Sequence, residues 1–328
     1  MKGHAMLNKR FVSLLMALSA CMAPAAALAQ WPDKPIKIVV AYPAGSTGDN
    51  VLRLMSDGLR ARLGQPVVIE NRSGAGGNIA ASQVTQAKPD GYTLLLGAAN
   101  NFAANQFLYK DLGFDPLLAF EPVIALVDVP AVLFINAQLV AKNYEEFTAA
   151  AKASGGRMAY GSPGTGTPPH LAAELINQAA GWGLLHVPYR GSPSTVAALL
   201  ANEIQLILAG AGVGLQHVKA GKLRAIAVGS SDRLSEFPQV PTLRELGLGQ
   251  IKASTWWGVA APKGTPREVV ERLRQAFAAI LADPKVKEQL RQLGSLPVGG
   301  GTRDLAVLIQ EDAAYWGPVI KKMGVQVE

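Results

Sequence analysis

Cysteine is almost missing from this 328-residue chain, in which Cys21 is the only one. That excludes an internal disulfide, and loss of an N-terminal leader would leave neither a thiolate nucleophile nor a Cys-ligated metal centre. Histidine is nearly as scarce. Beyond His4 the chain has only His170, His186 and His217, and none is spaced to another His or to a carboxylate as metal ligands are. Two motifs are absent as well. There is no Gly-x-Ser-x-Gly elbow, because Gly161-Ser162-Pro163-Gly164 has the wrong spacing and puts proline where an oxyanion donor would be needed. There is no Walker-type G-K-[ST], and Gly74-Ala75-Gly76 begins a dinucleotide fingerprint that Ile79 leaves incomplete. No catalytic residue, metal site or cofactor can therefore be assigned, and an enzyme is not expected. Lys/Arg clusters interleaved with aromatics are missing too, which argues against a nucleic acid partner.

One long apolar run is present, and it is short for a membrane span. Residues 11–20 follow Lys2, Lys9 and Arg10 and precede Ala27-Leu28-Ala29, the pattern of a signal peptide over residues 1–29 cut before Gln30. Leu18-Ser19-Ala20-Cys21 also fits a lipoprotein cleavage box. Soluble release to the periplasm is the expectation, because an Ala/Pro continuation follows Cys21 rather than a polar tether. The full chain carries +7, and removing Lys2, Lys9 and Arg10 leaves +4, a mild field that favours anions without specifying one.

The rest alternates strands with helices, as βαβ units do, so the expected class is α/β with mainly parallel sheets. β-Branched runs lie at 36–41, 65–70, 92–96, 132–135, 157–160, 184–187, 204–208, 223–228 and 255–260; helical stretches separate most of them, but none is read between 204–208 and 223–228. Asp283 is placed to cap a helix that Pro284 begins. The pattern restarts near residue 131. It suggests a discontinuous first lobe (30–130 with 250–328), a second lobe (131–249) and a two-strand hinge, with a cleft where small molecules bind.

Three polar, Gly-rich loops each join a strand to a helix: residues 43–49, 73–78 and 162–167. Glycine lets backbone approach a ligand, and the following helix offers unpaired N–H groups and a positive dipole end. Such loops suit a carboxylate or phosphate. Each also has a plain reading: Asp49 as a helix cap, the loop at 74–78 as a tight turn, His186 as a strand core residue, and Trp256 and Trp257 as core or interface residues. His170 follows Pro168-Pro169 at a helix start and either faces the cleft or packs.

Many ordered segments resemble one family. They include Trp31-Pro32-Asp33-Lys34-Pro35-Ile36, Tyr42-Pro43-Ala44-Gly45, Glu70-Asn71-Arg72-Ser73-Gly74, Lys88-Pro89-Asp90-Gly91-Tyr92, Tyr160-Gly161-Ser162-Pro163-Gly164-Thr165-Gly166-Thr167, Val187-Pro188-Tyr189-Arg190-Gly191 and Ala261-Pro262-Lys263-Gly264-Thr265-Pro266. The chain resembles the Bug-type substrate-binding proteins of tripartite tricarboxylate transporters. The resemblance implies a monomeric two-lobed protein of the type II periplasmic-binding-protein fold. It would close on a small carboxylate and deliver it to the transporter's membrane subunits. It also implies ligand contacts from Tyr42, Ala44, Gly45, Ser46 and Thr47, from Ser162, Gly164, Thr165, Gly166, Thr167 and His170, from Asn100 and Asn101 as selectivity contacts, and from Ala209. Two departures matter. The strand at 204–210 lacks the acid the family often has, and the segment after the third strand lacks its usual His and Asn-Pro pair, so a ligand bearing an amine is not expected. A receptor feeding a sensor kinase, or an exported hydrolase or transferase using His170, are the alternatives.

Overall fold

Strand β1 (Ile36–Val40) lies between β2 (Val67–Asn71) and β3 (Thr93–Ala98), parallel to both. The connections are α1 (Thr47–Leu63) and, after a 3-10 turn at Ala75–Gly77, α2 (Asn78–Thr85). Two one-turn helices, α3 (Ala99–Phe102) and α4 (Asn105–Leu108), precede β4 (Phe120–Asn136). Next come α5 (Tyr144–Ala153), β5 (Ala159–Ser162), α6 (Pro168–Ala180), β6 (Leu185–Pro188), α7 (Ser192–Leu200), β7 (Leu206–Gly210), α8 (Ala211–Lys219) and β8 (Leu223–Val228). β9 (Ser254–Pro262), α9 (Arg267–Leu281), α10 (Pro284–Gln292), β10 (Leu296–Gly299) and α11 (Thr302–Met323) complete the series. This computed structural model describes residues 31–327. The signal peptide and Cys21 lie outside the described residues. Among the described residues no helix is long and apolar enough to cross a membrane.

The class is α/β with two lobes, and both are built on β4. Its residues 120–130 pair with β9, and residues 131–136 pair with β7 and β8. The path β2-β1-β3-β9-β4-β7-β5-β6 is parallel in its outer strands, and antiparallel wherever β4 or β9 takes part. The sheet is therefore mixed rather than mainly parallel. β4 alone carries the chain from one lobe to the other on the outward pass. At the crossing Ala131 N–H donates to Ala253 O (2.8 Å) and Gly229 N–H donates to Ala131 O (2.7 Å), which ties the outward and return passes together.

Helices cover the sheet, so its inner strands are apolar on both faces. Residues 123–127 of β4 are wholly buried, and α9 and α11 pack on this strand. Each such side chain contributes roughly 1.5–3 kcal/mol when removed from water. The hinge strand is thus part of the core. Asp283 caps α10 as expected, accepting from Lys285 N–H at 2.8 Å.

Candidate ligand-binding site

Two loops, one in each lobe, share a construction. Before α1 the chain turns at Gly45 (φ +79°), and before α6 at Gly166 (φ +78°). The next residue, Ser46 or Thr167, is the N-cap, in nearly identical extended geometry and without a side-chain cap bond. Three residues further on, a side chain reaches back to the glycine N–H. In the first lobe Asp49 Oδ2 accepts from Gly45 (2.9 Å), and in the second His170 Nδ1 accepts from Gly166 (3.1 Å). Asp49 is thus no N-cap. It sits inside the helix and fastens the loop in front of it.

The two fasteners are held differently. Burial works against the Asp49 charge, but Arg53 (2.8 Å), Gly45 and Asn71 (3.0 Å) donate to it and keep its carboxyl below the usual value. His170 is buried and stacks at 4.0 Å on His186, whose Nε2 lies 2.7 Å from Ser162 Oγ. Burial, reinforced by His186, lowers the His170 pKa to about 4. Its ring is neutral near pH 7, as an Nδ1 acceptor must be.

Between the loops lies a cavity of about 50 Å³, against a minimum near ~10–15 Å³ for one water. It would accept a group the size of a carboxylate. Ser46, Thr47 and Tyr42 line it from the first lobe; Pro163, Thr167, Ala209 and Gly210 line it from the second; Val129, Thr255 and Trp257 come from the crossing strands. None of its lining residues is charged. Three of its polar groups are buried without any hydrogen-bond partner: Ser46 Oγ, Thr255 Oγ1 and Trp257 Nε1. A buried unpartnered polar group costs about 1–3 kcal/mol, so three around one cavity mark it as built for a polar guest. The N-termini of α1, α6, α7 and α8 all adjoin it, through Thr47, Pro168, Ser192 and Gly210. Their dipoles make it positive without any cation. Gly48 allows this closeness, since a Cβ there would lie 2.2 Å from the Trp257 ring.

Tyr42 and Pro163 also wall a second, wider chamber of about 460 Å³. The Gly-rich loop at 73–77 forms one side, and Gly164, Thr165, Tyr189 and Arg190 the other. A single carbonyl anchors the Gly-rich loop. Gly76 O accepts from Asn100 and Asn101 (2.8 Å each) and from Asn105 (3.4 Å). Tyr42 O–H donates to Asn100 Oδ1 at 3.0 Å. The lobes meet above the cavity, where a Cβ on Gly191 would lie 2.9 Å from Pro43 Cγ.

The expected contacts divide accordingly. Tyr42, Ser46, Thr47, Thr167 and Ala209 line the small cavity, Tyr42, Gly164 and Thr165 line the chamber, and Gly45 lines a groove beside α7. Asn100 and Asn101 line neither the cavity nor the chamber; their amides hold the chamber wall instead. His170 and Ser162 stand behind the wall as fasteners, Gly166 is the glycine that His170 holds, and Ala44 lines neither space. The amide grip also narrows. Ser46, Gly45, Gly164, Gly166 and Thr167 give their N–H groups to internal acceptors, whereas among the described residues no bond engages those of Thr47, Gly48 or Thr165. Thr255, Trp257 and Val129 are not among the expected contacts, because strand residues without a glycine signature reach the site only through tertiary structure; Ser192, at the start of α7, is brought there in the same way.

Known proteins share this architecture. The sequence profile of the "Tripartite tricarboxylate transporter family receptor" matches residues 51–325. The protein BugT of Bordetella pertussis is 32% identical over 318 residues, which cover 97% of each chain. Among solved structures, R. palustris Rpa4515 with adipate is 32% identical with a TM-score of 0.86, over 90% of this chain and 98% of that one. MatC from Rhodopseudomonas palustris with bound malate is 30% identical with a TM-score of 0.83, over 88% and 100%. This chain belongs to the receptor family of the tripartite tricarboxylate transporters and has the two-lobed fold of its periplasmic binding proteins.

Proposed function

We propose that this chain captures a small organic acid in the periplasm, seats one carboxylate in the 50 Å³ cavity, and hands the acid to the membrane subunits of a tripartite transporter. The observation that carries this is the trio of buried, unpartnered donors, Ser46 Oγ, Thr255 Oγ1 and Trp257 Nε1, around an acid-free cavity. A carboxylate accepts several hydrogen bonds at once and would pair them, together with the N–H groups of Thr47 and Gly48. The lobes taking part are 30–130 with 250–328, and 131–249, and closure brings Ser46 and Thr167 together. The relatives with adipate and malate support a carboxylate guest. A hydrolase reading finds no support at His170, whose Nδ1 is occupied by Gly166 and whose ring does not line the cavity.

The cavity has no carboxylate to meet an ammonium, and a buried unpaired ammonium is costly. Carboxylates without an amine should therefore bind at least ~10-fold tighter than aspartate or glutamate, a gap of about 1.4 kcal/mol. Thermal shift across mono-, di- and tricarboxylates, followed by calorimetry of malate and succinate beside aspartate, tests both points. Stabilisation by no carboxylate at all would refute capture, and tighter binding of aspartate would refute the acid-free pocket.

A further inference from the structure

The carboxylate cavity is too small for a whole organic acid, so the body of the guest must continue past Tyr42 and Pro163 into the 460 Å³ chamber. The chamber is lined by a single charged side chain, Arg190. Arg190 is exposed at its rim and has no hydrogen-bond or ion-pair partner among the described residues. Its backbone is fixed on both sides: Tyr189 N–H donates to Ser162 O (2.9 Å) and Gly191 N–H to Pro163 O (3.1 Å). The guanidinium thus springs from a loop tied to the one that walls the carboxylate cavity. Tyr109 and Tyr189 also line the chamber, and no bond among the described residues engages either phenol oxygen. A free, always-charged fork beside two phenols without hydrogen-bond partners, in a chamber whose lining residues include no acid (Glu203 lies near Tyr189 but outside the lining), is a site for a second anion.

We propose that Arg190 is the residue that reads the far end of the guest, selecting a dianion whose second carboxylate lies beyond an aliphatic or aryl body long enough to cross from cavity to chamber. This rests on the carboxylate reading of the small cavity. The two tyrosine rings favour a flat or extended apolar spacer, and the size of the chamber disfavours the shortest diacids.

Matched pairs separate the two claims. Hexanoate and adipate have six carbons each, and benzoate and terephthalate share a ring; each pair differs by one carboxylate. Calorimetry at low salt on the full-length mature protein should give at least ~10-fold tighter binding of the dianion in each pair. In Arg190→Gln that ratio should fall below about threefold, while Arg190→Lys keeps most of it, because a point charge survives without the fork. Arg190 is exposed, and unchanged thermal midpoints of the free variants will show that they fold. Equal affinity of the pair members in the wild type, or a ratio that Arg190→Gln leaves unchanged, would overturn the role of Arg190 and leave carboxylate capture standing. Failure of all four acids to bind would overturn both.

Discussion

The loops that open α1 and α6 have the same backbone and opposite chemistry. Each has a glycine near φ +79°, an N-cap hydroxyl residue and a fastener three residues into the helix. The first uses a carboxylate and leaves the N–H groups of Thr47 and Gly48 without a partner; the second uses a neutral imidazole and starts its helix with Pro168-Pro169, which have no N–H to offer. The first loop therefore supplies donors to an anion. The second supplies shape, closing the cavity with Pro163 and Thr167. A negative fastener suits the donor loop because it compensates the helix terminus when no anion is bound. A neutral fastener suits the closing loop, because a second carboxylate behind the cavity wall would add repulsion on the anionic guest.

The largest effect should come from the turn glycines, and it should be unequal. Valine at 166 would need a left-handed backbone that β-branched residues avoid, and its Cβ would come within 2.9 Å of Leu108 Cδ1. At Gly45 the nearest obstacle, Pro193 Cγ, is 3.9 Å away. Gly166→Val should abolish binding, more than ~100-fold. Gly45→Ala should carry only the conformational penalty of about 1–2 kcal/mol, roughly tenfold. Calorimetry with the best carboxylate decides; equal losses would mean that the second loop does not shape the cavity.

How much of this the sequence reveals depends on the kind of residue. Loops were legible because glycine and proline mark them directly, and α10 because Asp283 and Pro284 do. The sequence marks strand β4 only over 132–135, because Pro122 and Pro130 look like breakers. Both are accommodated in pairing with β9, Pro122 beside a register shift and Pro130 opposite Ser254 at the lobe crossing. Helix α8 carries no helical signature, because Gly212 and Gly214 resemble a loop. They are glycines for packing reasons, since a Cβ on Gly212 would meet Leu293 O and one on Gly214 the Phe134 ring. Family resemblance pointed to Asn100 and Asn101 near the cleft. It could not reveal that both amides face Gly76 O rather than the guest.

The fasteners should separate along the pH axis. His170 titrates at about 4 in the fold against 6.5 unfolded, so the unfolded chain binds more protons in that window and stability falls as pH drops from 6.5 to 4. His186 is also lowered by burial and adds to the same loss, while Glu174 nearby opposes it. The Asp49 carboxyl is lowered from 3.8, so its contribution is intact above that value and is lost only in more acid solution. Denaturant unfolding at pH 7, 5.5 and 4.5 should show a drop on the order of 1–3 kcal/mol. His170→Asn, whose amide oxygen can accept from Gly166, should flatten part of it. At pH 7 Asp49→Ala should cost about 1–3 kcal/mol, because it strips the Gly45 N–H and the Asn71 amide of their acceptor. An unchanged pH profile in His170→Asn would remove His170 from the account.

The smallest effect is also the sharpest, because the two N-cap hydroxyls predict opposite signs. Thr167 Oγ1 already donates to Gly164 O at 2.7 Å, so Thr167→Val removes a bond present before the guest arrives. The free protein should lose about 0.5–1.5 kcal/mol of stability. Ser46 Oγ is buried with no partner and caps nothing. Ser46→Ala therefore removes an unsatisfied group, and the free protein should be as stable as the parent or slightly more so. Carboxylate binding should nevertheless weaken by about 0.5–1.5 kcal/mol, a few-fold in Kd. A substitution that leaves the free protein untouched and harms only the complex is the signature of a donor held in reserve for the ligand. If Ser46→Ala lowers the thermal midpoint as much as Thr167→Val does, the Ser46 hydroxyl serves the fold, and the anion must be held by backbone N–H groups, Thr255 and Trp257.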